Sequence, residues 1–79
     1  MKGLAVGRIV YYRMTIPQVN GDTGIRPAII THVFNEDGLV NLVLFLDGSY
    51  DRTEIPTSKT SIGYASEDKV GYWHWPPMV

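Results

Sequence analysis

The segment LVNLVLFL at residues 39–46 decides the fold, because it is the most apolar stretch of the chain. Asn41 is its only polar residue. Successive side chains of a β-strand point to opposite faces, so a strand with this sequence is apolar on both faces. We expect such a strand to be central in a sheet, with one face in the interior and the other covered by a loop, a tail or another subunit.

Turns and further strands flank this segment. The preceding NEDG at residues 35–38 predicts a tight hairpin connection. Before it, RPAIITHVF at residues 26–34 has the alternation of a strand, with four side chains on one face: Ala28, Ile30, His32 and Phe34. This register predicts a partly buried His32 whose hydrogen bonds are satisfied.

The rest of the chain also indicates strands. VGRIVYYRM at residues 6–14 is rich in β-branched and aromatic residues, and the turn formers of PQVNGDTG at 17–24 predict a long loop after it. TSIGY at 60–64 and GYWHW at 71–75 predict two more short strands. Only ASEDK at 65–69 is compatible with a single helical turn.

Five short strands with one long loop favour an all-β fold, a small five-stranded SH3-like barrel, over a sandwich of about seven strands. At 79 residues the chain is expected to form one domain, residues 1–79. It has no cysteine to form disulfides. A doubly apolar strand in so small a domain therefore predicts a homo-oligomer, with dimer and higher oligomer left open.

Charge and hydropathy exclude several classes of protein. The formal net charge of −1, with basic residues scattered singly, argues against binding of duplex nucleic acid. No run approaches the ~20 apolar residues of a membrane span, and the first residues lack the pattern of a signal peptide. The chain is therefore expected in a cytoplasm, without a membrane partner.

Several ordered motifs resemble those of small proteins encoded in phage and prophage genomes, which end in a Trp-His-Trp-Pro motif. The motifs are GIRPAIITHVF at 24–34, VNLVLFLDGSYD at 40–51, Thr57–Ser58 and GYWHWP at 71–76, and together they cover most of the chain. The resemblance implies a phage origin, and hence the cytoplasm of a bacterial host. Many members of this group have no assigned function.

Catalytic and metal-binding patterns are weak. No Gly-x-Ser-x-Gly elbow presents a nucleophile, and two histidines without His-x-His or His-Glu-x-x-His spacing do not indicate zinc. Asp47 and Asp51 are interpreted as turn residues whose carboxylates cap backbone amides. We therefore expect no enzyme activity, no metal site and no cofactor.

Aromatic and donor residues instead indicate binding. Tyr12, Trp73 and Trp75 supply flat faces for stacking, and Arg26 and Lys59 supply positive charge for a phosphate or carboxylate. Arg26 has a second interpretation, a salt bridge to an acid such as Asp47. The remaining candidate ligand-binding residues are Asn41, Thr57, Ser58 and His74.

The alternation of strand side chains puts Trp73 and Trp75 on one face of the last strand and Tyr72 and His74 on the other. Packing of the two tryptophans in a core or interface is the alternative to a role in binding. The sequence leaves open which of these two pairs meets a ligand.

The phage resemblance leads to the more specific hypothesis of a protein that sequesters a small nucleotide-like ligand, a cyclic or modified nucleotide used as an immune signal. The alternative is an SH3-like interaction module that binds a host or phage protein. Weak binding of single-stranded nucleic acid is a third interpretation, which the net charge disfavours.

Overall fold

The structure is a computed structural model that describes residues 1–14, 24–47 and 56–77. Five strands lie in these ranges: β1 (Ile9–Arg13), β2 (Ile25–Val33), β3 (Val40–Leu44), β4 (Ser58–Ile62) and β5 (Trp73–His74). Most of the predicted loop at 17–24 and of the turn at 47–51 lies outside the described residues.

The five strands form one antiparallel sheet in the spatial order β4-β3-β2-β1-β5. Consecutive strands pair from β1 to β4, and β5 returns to pair with the far side of β1. The sheet curls into a half-barrel, and the described residues contain no helix. The predicted all-β class is confirmed, and the architecture is consistent with a small SH3-like barrel.

The inner face of the curled sheet forms the hydrophobic core. In β3, Val40, Leu42 and Leu44 are buried, whereas Asn41 and Val43 are only partly buried. The other buried apolar residues of the core are Val10, Tyr12, Met14, Ala28, Ile30 and Trp73. Removing these side chains from water is the main source of stability for a domain without disulfides.

The opposite side of the same strands is also mostly apolar. Residues paired across neighbouring strands lie side by side, so the pairing defines rows of side chains. We call two of these rows the outer face: Ser58, Val43, Ile29 and Ile9 in the first, and Phe45, Pro27, Tyr11 and His74 in the second. Ile9 and Phe45 are 59% and 50% exposed. β3 is an interior strand of the sheet, as predicted, with Val43 and the following Phe45 on the outer face beside the polar Asn41.

Asn41 lies opposite an irregularity in each neighbouring strand. In β2, Thr31 is an extra residue in the pairing with β3. In β4, Thr60 and Ser61 together lie opposite Asn41. Bulges bend a strand and increase its twist, so the two bulges help the sheet to curl around β3.

The Asn41 side chain stabilises the bulge in β4. Its Oδ1 atom accepts a hydrogen bond of 2.9 Å from the backbone N–H of Ser61. Ser61 has a φ of 55°, a left-handed conformation that is unfavourable for residues other than glycine. The single polar residue of the apolar segment thus compensates a strained backbone position.

The bulge in β2 also shows that the predicted position of His32 is wrong. An extra residue moves every following side chain to the other face, so His32 leaves the side of Ala28 and Ile30 and is exposed. Its ring packs edge-on against Phe34 at a centroid distance of 4.5 Å.

Trp73 closes one end of the half-barrel. Its indole N–H donates a hydrogen bond of 2.7 Å to the carbonyl oxygen of Gly38, and its ring packs 4.9 Å from that of Tyr64. Gly38 has a φ of 98°, and a Cβ atom there would lie 2.7 Å from the Cβ of Tyr64. Glycine is therefore required for the indole and the hairpin to come together.

The predicted helical turn at residues 65–69 is absent, since the chain bends there without forming a helix. Ala65 donates its backbone N–H to the carbonyl of Trp73, which extends the sheet contacts beyond β4. Asp68 accepts a hydrogen bond of 2.7 Å from Arg13. These contacts with β1 and β5 replace the local hydrogen bonds of a helical turn.

Candidate basic-aromatic groove

Residues just before β1 and just after β5 meet at one edge of the sheet, because these two strands are neighbours. The backbone of Arg8 is held against β2 by a hydrogen bond of 3.0 Å from the Ile30 N–H to the Arg8 carbonyl. Gly7 donates its N–H to the Ile30 carbonyl over 2.7 Å. Arg8 therefore has a fixed backbone and an exposed side chain.

The Arg8 side chain is oriented by the N-terminal segment. Its Nε atom donates a hydrogen bond of 2.8 Å to the carbonyl oxygen of Gly3. A Cβ atom at Gly3 would lie 3.1 Å from Arg8 Nη2 and 3.9 Å from Trp75 Cη2. The guanidinium and the indole thus converge on Gly3, where the missing side chain leaves room for both.

Trp75 is the aromatic wall of this site. It packs edge-on against Trp73, with 5.0 Å between ring centroids and 89° between planes, and it remains partly exposed. Pro76 follows it and restricts the backbone of Trp75 to an extended conformation. The indole is therefore held by the core ring, and its partly exposed surface lines the site.

Two open cavities lie along these residues, and we call them together the groove. One, of about 390 Å³, is lined by Lys2, Gly3, Arg8, Trp75 and Pro76. The other, of about 470 Å³, is lined by Gly7, Arg8, Ile9, Trp75 and Pro76. The two cavities share Arg8, Trp75 and Pro76, so both lie against the same guanidinium and indole.

The chemistry of the groove suits an anionic group beside a flat or apolar one. A guanidinium donates several hydrogen bonds in a plane and binds phosphate or carboxylate well. Lys2 adds a second positive charge. The accessible indole face offers stacking to a base or an apolar ring.

The structure separates the residues that the sequence nominated for binding. Three of them lie inside, with Trp73 at 0%, Tyr12 at 3% and Arg26 at 7% exposure. Arg26 donates a hydrogen bond of 2.9 Å to the carbonyl of Ile25. Their burial leaves little of these three side chains accessible to a ligand in this conformation, and their roles in stacking on a base and neutralising a phosphate stay a prediction.

The other nominated residues lie at three further places. Asn41 holds the β4 bulge, and His74 packs edge-on against Tyr11 on the outer face, with 5.9 Å between centroids. Thr57, Ser58 and Lys59 lie at the start of β4 on the opposite edge of the sheet from β5. Only Trp75 lines the groove. The expected opposite faces of Trp73 and His74 are confirmed by their pairing with Tyr12 and Tyr11.

Sequence reasoning did not nominate Arg8, Lys2, Gly3 or Pro76. The one local signal is Arg8, a charge that interrupts the apolar run at the start of the chain. Its proximity to Trp75 depends on the pairing of the first strand with the last, which no local pattern encodes.

Within residues 1–14, 24–47 and 56–77, no group of three or more His, Cys, Asp or Glu side chains is arranged to hold a metal ion. The same ranges contain no helix that is long and apolar enough to cross a membrane.

Comparison of the chain with protein-family models, curated proteins and solved structures gave no match. The assignment of a function therefore depends on the geometry of the chain itself.

Proposed function

We propose that this protein is a non-enzymatic binding protein that takes a small anionic ligand with a flat ring in the groove. The observation that carries the proposal is the convergence of the Arg8 guanidinium and the Trp75 indole on Gly3, in an open site with both groups accessible. Arg8 and Lys2 neutralise the anion, and Trp75 stacks on the ring. This arrangement needs no catalytic residue.

A nucleotide carries both chemical features, a base and a phosphate. The proposed ligand class is therefore a cyclic or modified nucleotide. Together with the resemblance to phage proteins, this ligand class leads us to propose sequestration of an immune signal in the bacterial cytoplasm as the biological role.

A second candidate is an interaction module that binds an extended peptide. It is favoured by the shape of the groove, because both of its cavities are open and both lie against Arg8 and Trp75. A small ligand is usually largely enclosed by its pocket, whereas a peptide binds along an open surface. An acidic side chain next to a proline would match Arg8, Trp75 and Pro76.

The test is a thermal-shift screen of the purified protein against cyclic di- and trinucleotides, ADP-ribose derivatives and acidic proline-containing peptides. A ligand at about 100 times its Kd stabilises the folded state by about 2.7 kcal/mol. For a domain of this size, each kcal/mol raises Tm by roughly 4–8 °C. Stabilisation by a nucleotide supports the first candidate, and stabilisation by a peptide supports the second.

Variants locate the binding site. Arg8→Gln and Trp75→Leu are expected to abolish the shift, because each removes one of the two recognition groups. Lys69→Gln is the matched control. It removes one positive charge beside an aromatic ring, because Lys69 Nζ lies 4.4 Å from the centroid of the Tyr72 ring, and Lys69 does not line the groove. A shift that persists in Arg8→Gln and Trp75→Leu would place binding elsewhere, and the absence of any shift in folded protein would contradict both candidates.

A further inference from the structure

Within the described residues, the outer face is an apolar surface that the chain covers only in part, since four of its eight positions are exposed and four are partly buried. Its eight positions hold six apolar or aromatic residues together with Ser58 and His74, and none of them is Asp, Glu, Lys or Arg. Ile9, in β1, and Phe45, directly after β3, lie in different rows and are 59% and 50% exposed. Contiguous exposed apolar patches on soluble proteins generally mark a site of interaction.

One charge next to the outer face is neutralised by an ion pair within the described residues. Arg13, which follows Tyr11 on the same side of β1, donates a hydrogen bond of 2.7 Å to Asp68. Two copies of an uncharged surface can approach each other without like-charge repulsion, whereas a surface with one sign of charge cannot. The outer face is therefore suited to contact with a copy of itself.

The size of the surface is compatible with a modest dimer interface. Four neighbouring strands about 4.8 Å apart, with a rise of about 3.3 Å per residue, give the two rows and their margins roughly 300 Å² in projection. Two copies therefore contribute about 600 Å² in projection, and the corrugation of the side chains and a polar rim bring the total buried area towards about 1,200 Å², the lower end of specific interfaces.

We infer that the outer face is the interface of a symmetric homodimer, in which two copies pack their outer faces against each other. Ile29 and Pro27, both on the central strand β2, lie nearest the middle of the face and close to the two-fold axis, where a residue meets its own copy. Ile9 and Phe45 lie towards the margins and become buried. Ile9 also lines the groove, so the partner subunit comes to lie beside it.

The first test is sedimentation of the wild-type protein over a range of concentrations, with Ile9→Glu and Phe45→Glu as face variants. We expect a Kd on the order of 1–100 µM, the range of weak specific association. A glutamate at either position places like charges in an apolar interface and is expected to raise the dimer Kd at least about 100-fold. Phe45 does not line either cavity of the groove, so Phe45→Glu separates dimerisation from ligand binding.

Val70→Glu is the matched control, because Val70 is 51% exposed and lies outside the outer face. Its dimer Kd is expected to equal that of the wild type. Circular dichroism checks that each variant is folded. We expect all three to fold, because the substituted side chains are exposed. A wild-type protein that stays monomeric up to about 500 µM, or a dimer that both face variants leave intact, would overturn the inference.

A second test uses the absence of cysteine from the chain. Ile29→Cys introduces a single thiol near the proposed axis, and mild oxidation is expected to give a covalent dimer that a reductant cleaves. Val70→Cys is the control and is expected to stay uncrosslinked. Equal crosslinking of both variants would indicate random collision and contradict the proposed geometry.

Discussion

The two faces of β3 carry similar side chains in very different surroundings. Val40 is fully buried under the curled sheet, whereas Val43, three residues along the same strand, is only partly buried on the outer face. The two tryptophans differ in the same way, since Trp73 is sealed in the core and Trp75 lines the groove. Apolar character alone thus does not distinguish a core residue from a surface residue in this protein; the curl of the sheet does.

The largest expected effect is a difference in the free energy of unfolding between variants of the two tryptophans. Trp73→Ala removes the core ring and leaves the Gly38 carbonyl without its indole donor, so it should lower the free energy of unfolding by about 3–5 kcal/mol. Trp75→Ala should cost about 1 kcal/mol, because its ring is already partly in water. Urea denaturation followed by circular dichroism measures both. Equal losses would contradict the assignment of Trp73 alone to the core.

Where Trp73→Ala does not fold, Trp73→Phe serves instead. It keeps an aromatic ring and loses the indole N–H. The loss of unfolding free energy in Trp73→Phe should exceed that in Trp75→Ala.

The two faces of β3 can be compared directly. Leu42→Ala creates a cavity on the inner face and should lower the free energy of unfolding by about 2–5 kcal/mol. Val43→Ala should cost less than about 1 kcal/mol when measured at a concentration where the protein is monomeric. A larger loss for Val43→Ala under these conditions would show that the chain itself covers the outer face.

Variants at Asn41 and Ser61 test the bulge in β4. This bulge helps the sheet to curl, and the curl buries one face of β3 more than the other. Asn41→Ala removes the acceptor for the Ser61 N–H and should cost about 1–2 kcal/mol. Ser61→Gly relieves the left-handed strain and should stabilise the protein by about 0.5–1 kcal/mol. Thermal denaturation measures the expected loss of stability in Asn41→Ala and the expected gain in Ser61→Gly. Destabilisation by Ser61→Gly would contradict a strained bulge.

The smallest expected effect concerns the rim of the outer face. Asp68→Asn weakens an ion pair in which the Asp68 side chain is 42% exposed, so it should cost less than about 1 kcal/mol. The difference from wild type should shrink further at high salt, because salt screens exposed charges. A loss of several kcal/mol that is independent of salt would assign Asp68 a role in the core instead.

Much of the fold could be predicted from the sequence, because strands and turns have local signals. The hairpin at 35–38 and the doubly apolar strand after it follow from turn residues and the two-residue period. His32 could not be placed, since the extra residue at Thr31 has no distinct sequence signal. Asn41 was nominated for binding, although its amide stabilises a bulge in the neighbouring strand.

The sequence also did not show which residues come together in the candidate site. The sequence predicts Trp75 as one of three aromatics for stacking and associates it with Arg26 and Lys59 rather than with Arg8. The two residues are far apart in the chain and become neighbours only because β5 pairs with β1. Tyr12 and Arg26 looked available for a ligand, but the curl of the sheet places both inside.

By itself, the sequence determined that this protein is all-β and that its third strand is apolar on both sides, because alternation, turn residues and the absence of a helical period are local properties. Only the tertiary structure decided which side of that strand became the core, that Trp75 rather than Trp73 is partly exposed, and that Arg8 is the cation near Trp75. These outcomes depend on two bulges and on the pairing of the first strand with the last. They are contacts between distant parts of the chain, whose partners no local pattern of residues specifies.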